Sequence, residues 1–148
     1  LQGYLRGLSA LAISVADKNT AHLDAAARVA ASLVRMIAAG ALPGRVLLNV
    51  NLPSLSLAKV RGVKVTRLAR ETHTDAVAQG HDGRREYFWL RRERRGHDPA
   101  QGTDMWAIDQ GNISITPLHE VLANGPSPTI TDGFCSELLE ELRRREWG

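Results

Sequence analysis

Two short aliphatic runs flank a long amphipathic stretch near the start of the chain, and that succession restricts the fold more than any other feature. Residues 8–15 (LSALAISV) are apolar without clean alternation, which suits a strand buried on both faces, as in a sheet covered by helices. Within residues 21–39, Leu23, Ala27, Ala30, Val34 and Ile37 recur at three- and four-residue spacing, with Asp24, Arg28, Ser32 and Arg35 opposite. That is an amphipathic helix, capped at its start by Asn19 or Thr20 and ended by Gly40. Leu42-Pro43-Gly44 then turns the chain into residues 46–50, a second apolar strand stopped by Pro53. Strand, helix and strand with short connections form a βαβ unit, so the two strands are expected to be parallel.

Beyond residue 60 the pattern changes. Residues 63–68 alternate and carry β-branched side chains, as in a strand exposed on one face. Residues 86–91 read as another strand, preceded by the turn signal Asp82-Gly83. Together they predict a projecting antiparallel hairpin arm over residues 61–100. Residues 97–105 read as a loop. Gly111-Asn112 leads into a strand, Ile113-Ser114-Ile115, ended by Pro117, so residues 101–123 return to the core. Residues 124–148 comprise a proline-containing linker and a helix from about Asp132, its expected N-cap, to Trp147. Phe134, Leu138 and Leu142 form that helix's apolar stripe, with Glu140–Arg144 and Glu141–Arg145 as i,i+4 pairs on its wet side.

Charge is unevenly spread. Residues 61–97 hold ten Lys/Arg against five Asp/Glu, and Arg84, Arg85, Arg91, Arg92, Arg94 and Arg95 crowd a short stretch. Two readings fit: a patch for RNA or another anionic partner, or a solvated protrusion whose arginines pair with Glu86, Glu93 and Asp98. Cys135 is the sole cysteine, which excludes an internal disulfide and points to a reducing, cytoplasmic setting. The most apolar window, residues 25–42, contains Arg28 and Arg35, so no bilayer-spanning segment is expected, and neither is a signal peptide.

The search for chemistry excludes more than it finds. His22, His73, His81, His97 and His119 form no HxxxH or HExxH pattern. His81-Asp82 and His97-Asp98 sit in polar loops, where a solvated histidine is the simpler reading than a proton-transfer pair. Ser14 lacks the elbow motif of a serine nucleophile, and no glycine-rich phosphate loop occurs. Cys135 reads as a small core residue. Asn49 and Asn51 are the substrate-cleft candidates, because they stand at the carboxyl end of a buried strand, where open α/β sheets bind ligands. They serve equally well to satisfy loop backbone groups. Thr103 and Asp104 could cap a turn or reach a site, and structural capping is the simpler reading.

Four blocks then carry a resemblance. Gly3-Tyr4-Leu5-Arg6-Gly7 with Ala10-Leu11-Ala12-Ile13-Ser14 is the first. Leu42-Pro43 through Leu47-Leu48-Asn49-Val50-Asn51-Leu52-Pro53 is the second, and Val63-Lys64-Val65-Thr66-Arg67-Leu68 the third. The fourth joins Gly102-Thr103-Asp104 to Ser114-Ile115-Thr116-Pro117-Leu118. In order and spacing the chain resembles the C-terminal half of the SurE (survival protein E) family, over residues 1 to about 119.

The resemblance implies a Rossmann-like α/β fold: the C-terminal part of a three-layer parallel sheet, with a hairpin arm and a C-terminal helix. The four regions 1–60, 61–100, 101–123 and 124–148 would belong to one domain. It also implies a metal-dependent 5'-nucleotidase, a phosphoric monoester hydrolase acting on nucleoside monophosphates with Mg²⁺ or Mn²⁺, forming a homodimer or homotetramer through the arm. The family's paired aspartates, with the serine and asparagine-glycine loop that follow them, are not found together in this sequence. Asp82-Gly83 and Asp132-Gly133 do not stand in for them, since neither follows a buried strand. The chain opens at Leu1 and reads as part of something larger. No catalytic or metal-ligating residue is therefore assigned, and these residues alone are expected to be inactive. The alternative is a non-enzymatic oligomerisation or RNA-binding module using the arginines within residues 84–95.

Overall fold

The computed structural model describes residues 1–16, 22–69, 74–81, 83, 85–93, 99–118 and 130–144. The expected caps Asn19 and Thr20 lie outside them, as do His73, His97, His119, Arg84, Arg94, Arg95, most of the 124–131 linker, and Arg145 to Trp147. The described elements are α1 (Gln2–Leu5), β1 (Ala10–Val15), α2 (Leu23–Ala38), β2 (Leu47–Leu52), β3 (Val63–Val65), β4 (Thr74–His81), β5 (Glu86–Glu93), α3 (Asp104–Asp109), β6 (Ile113–Pro117) and α4 (Asp132–Arg144). This is an α/β fold. Among the described residues, no helix is long and apolar enough to cross a membrane.

The βαβ unit forms as expected. β1 and β2 are parallel, with Ala10 opposite Leu47 and Val15 opposite Leu52. Gly40, at φ +82°, terminates α2. Its N–H bonds the Ile37 carbonyl and that of Ala41 the Met36 carbonyl, the paired closure that a left-handed residue permits. The four-stranded sheet runs β1-β2-β6-β3. It is mixed rather than parallel throughout, because β6 runs antiparallel to β2 while β3 runs parallel to β6. Among the described residues β1 pairs only with β2, and its Ala12 and Ser14 are exposed, which departs from the expected burial on both faces.

One face of this sheet carries the core. Leu48, Val50 and Leu52 of β2 and Ile113 and Ile115 of β6 pack with Val29, Leu33 and Met36 of α2 and Phe134, Leu138 and Leu142 of α4. The helix α2 is rotated from its expected setting. Ala25, Val29, Ser32, Leu33 and Met36 face inward, whereas Leu23 is 57% exposed and Val34 55%. The reason is that α2 is apolar on two sides, and the sheet takes the one bearing Val29, Leu33 and Met36.

Four further expectations change. Val63–Val65 belongs to the core sheet, and the separate antiparallel hairpin is β4–β5, with Thr74 opposite Glu93 and His81 opposite Glu86. The stretch read as a loop before Gly111 contains α3, a short helix that packs against β6 and β2. Finally, Thr131 caps α4, its Oγ1 accepting the Phe134 N–H at 3.2 Å, and Asp132 is already helical. Glu141 also leaves the wet side: it pairs with Arg35 of α2 at 2.8 Å, tying the two core helices together. The Glu140–Arg144 pair forms as expected.

Candidate functional site

The second face of the sheet is polar, and the period of a strand explains why. Ile113 and Ile115 point to the core, so Ser114 and Thr116 point away. The same alternation turns Asn49 and Asn51 of β2, and Ala12 and Ser14 of β1, to this side. Two rows result. One runs Ala12, Asn49, Thr116; the next runs Ser14, Asn51, Ser114, with Lys64 at the far edge strand.

These side chains engage one another. The Ser14 hydroxyl donates to Asn51 Oδ1 at 2.5 Å, joining the carboxyl ends of the two parallel strands. Farther across, Thr66 Oγ1 lies 2.8 Å from Ser114 Oγ and 2.7 Å from Thr116 Oγ1. That hydroxyl trio is buried, while Asn49 and Asn51 are half-buried and Ser14 is exposed. The face therefore grades from sealed hydroxyls at β6 to open amides at β2. Its chemistry is that of uncharged donors and acceptors.

Thr103 and Asp104 prove to be structural. Thr103 caps α3 by accepting the Trp106 N–H at 3.3 Å. Asp104 Oδ1 accepts the Ala69 and Met105 N–H groups, both at 2.9 Å, which fastens the segment after β3 to α3. His81 Nδ1 accepts the Gly83 N–H at 2.9 Å and so closes the hairpin turn. Cys135 lies in the core between α4 and the sheet, and burial pushes its thiol up to about 11, with Asp132 adding to the rise. A thiol held neutral is no nucleophile.

Of the residues on this face, the sequence names Asn49 and Asn51 as cleft candidates and Ser14 only as a serine without a nucleophile motif, while Thr66, Ser114 and Thr116 are not singled out there as site residues. The alternation in Ile113-Ser114-Ile115-Thr116 was the available signal, since it places both hydroxyls on one face. Ser14 carried no signal of its own, because only the register of β1 on β2 puts it opposite Asn51. Among the described residues, no group of three or more His, Cys, Asp and Glu could hold a metal ion. They do not fit the divalent cation that the resemblance implies, which needs several oxygen ligands.

Comparison with known proteins gives this geometry a context. The family model described as survival protein SurE matches residues 1–75. The chain is 41% identical over 145 residues to the 5'-nucleotidase SurE of Dehalococcoides mccartyi strain CBDB1, covering 97% of this chain and 55% of that protein. It is 39% identical over 120 residues to the 5'-nucleotidase SurE of Legionella pneumophila strain Philadelphia 1, covering 80% and 48% respectively. The crystal structure of the SurE protein from Aquifex aeolicus superposes with a TM-score of 0.67 at 30% identity, over 83% of this chain and 50% of that one. The chain thus spans about half the length of the relatives it matches. With 145 of 148 residues aligned to the D. mccartyi protein, the likeness extends past residue 119 into α4.

Proposed function

Since this chain belongs to the SurE family, we propose that it forms part of a 5'-nucleotidase, with the polar face at the carboxyl ends of β1 and β2 serving as a wall of the substrate cleft. The observation that carries this reading is the Ser14–Asn51 junction. It fixes the half-buried amide of Asn51 near the carboxyl end of β2, where α/β sheets take ligands, with the half-buried Asn49 two residues earlier on the same face. The substrate would be a nucleoside monophosphate, and the reaction hydrolysis of its phosphate ester. In this reading Asn49 and Asn51 orient the substrate through neutral hydrogen bonds. A divalent ion, Mg²⁺ or Mn²⁺, would supply the charge that neutralises the phosphoryl oxygens. The described residues provide no ligand set for that ion, so no proton or phosphoryl step is assigned to them. The β4–β5 hairpin would serve self-association as a dimer or tetramer, and the setting would be cytoplasmic.

The reading implies that these 148 residues alone release no phosphate, because transfer depends on fixed positive charge around the three equatorial oxygens. The test is phosphate release from AMP with Mg²⁺ or Mn²⁺ by the chain, beside a version extended upstream to the length of the D. mccartyi relative. Turnover only in the extended version is expected. Equal turnover by both would overturn the division of labour, and none by either would overturn the nucleotidase reading.

A further inference from the structure

Building on the nucleotidase reading, we infer that Ser14 is a positioning residue for Asn51, and that the corner they form takes the sugar hydroxyls of the substrate rather than its phosphate. The argument begins with the amide. An asparagine side chain is nearly symmetric in shape but opposite in chemistry at its two ends, so a half-buried one needs a partner to choose its orientation. Ser14 makes that choice. Register places it directly opposite Asn51, and its hydroxyl donates to Oδ1 at 2.5 Å, which leaves the two N–H groups of the amide as the donors for a ligand. On the other side, Ser114 is opposite Asn51 in the β2–β6 pairing, but its hydroxyl is engaged with Thr66.

The surroundings select the ligand chemistry. Ala12, Asn49, Ser114 and Thr116 neighbour this corner in the two rows and are all uncharged; Lys64 stands at the far strand. A phosphate dianion calls for guanidinium, ammonium or clustered backbone N–H donors. Vicinal hydroxyls, which both donate and accept, match a pair of amides two residues apart on one strand. Of the parts of a nucleoside monophosphate, the ribose has that chemistry.

The test follows the Asn49 and Asn51 side-chain amide resonances of the ¹⁵N-labelled chain, with adenosine and inorganic phosphate as separate probes. Adenosine is expected to shift both amide pairs, and phosphate to leave them in place. Ser14 is exposed, so S14A should keep the backbone spectrum of β1 and β2 while weakening adenosine binding about fivefold to tenfold, the loss expected when one hydrogen bond no longer orients a donor. S14T, which retains the hydroxyl, should restore it. Undiminished binding by S14A, or phosphate shifting the Asn51 amide as strongly as adenosine, would overturn the inference. So would an absence of any adenosine response at Asn51. None of these outcomes bears on phosphate release from AMP, which tests the nucleotidase reading by itself.

Discussion

The ring of Tyr87 lies over Gly80, its directly opposed partner across the β4–β5 hairpin. A methyl group at Gly80 would collide with Tyr87 Cε2. Tyr87 in turn meets Trp89 edge-to-face, with ring centroids 5.6 Å apart at 82°. The glycine thus makes room for an aromatic pair on one side of a two-stranded ribbon.

Replacing Gly80 with alanine should therefore displace the Tyr87 ring and break its contact with Trp89. The hairpin loses about 0.5–1.5 kcal/mol, the usual worth of an aromatic pair. Near-ultraviolet circular dichroism should lose the Tyr–Trp coupling, while thermal unfolding of the core sheet changes little. An unchanged aromatic signal would show that the ring does not depend on the glycine.

The same hairpin leaves Phe88 and Trp89 each 64% exposed, on opposite faces of the ribbon. A two-stranded ribbon has no interior, and apolar surface on both sides calls for cover. Deleting residues 72–97 should reduce the sedimentation coefficient by more than the lost mass explains, as an oligomer falls apart. A deletion that leaves the oligomeric state intact would place the contact elsewhere.

Arg35 and Glu141 join α2 to α4, and both are partly exposed. Their pairing should be worth about 0.5–1 kcal/mol, at the upper end for surface ion pairs because Arg35 also donates to Ser32 at 3.0 Å. A double-mutant cycle of R35M and E141Q in urea denaturation should show that coupling and its decline at 1 M salt. Additive single effects would mean the pair contributes nothing.

Cys135 makes stability depend on pH in one direction. Burial raises its thiol from 9.0 to about 11, so the folded chain holds it neutral where the unfolded chain would ionise it. The contribution is complete below pH 9 and is lost as pH rises through 11. The midpoint of thermal unfolding should fall more steeply over that interval in the native chain than in C135A. Parallel curves for the two proteins would show the thiol to be unlinked to folding.

Asn51 offers a functional check in the upstream-extended protein. N51A should raise KM for AMP about tenfold, as expected for lost substrate hydrogen bonds, with a smaller change in kcat. A loss confined to kcat would move Asn51 from substrate orientation to the transition state.

Much of this fold follows from local rules that act within a few residues. Apolar runs, a helical repeat and Gly40 as a stop were enough to delimit β1, α2 and β2, and position at a strand end was enough to single out Asn49 and Asn51. Which face of α2 turns inward was beyond such rules. Leu23, Ala27 and Val34 form as good a stripe as Val29, Leu33 and Met36, and only the shape of the sheet chooses between them. Strand partnership is equally non-local: Val63–Val65 has the alternation of an arm strand, yet it pairs with β6, about 50 residues farther along. Sequence determined what each segment is, because propensity and periodicity are properties of neighbours along the chain. Tertiary structure decided what each segment meets, including Ser14 on Asn51 and Thr66 between Ser114 and Thr116, because hydrogen bonds and packing act between atoms that the sequence holds far apart.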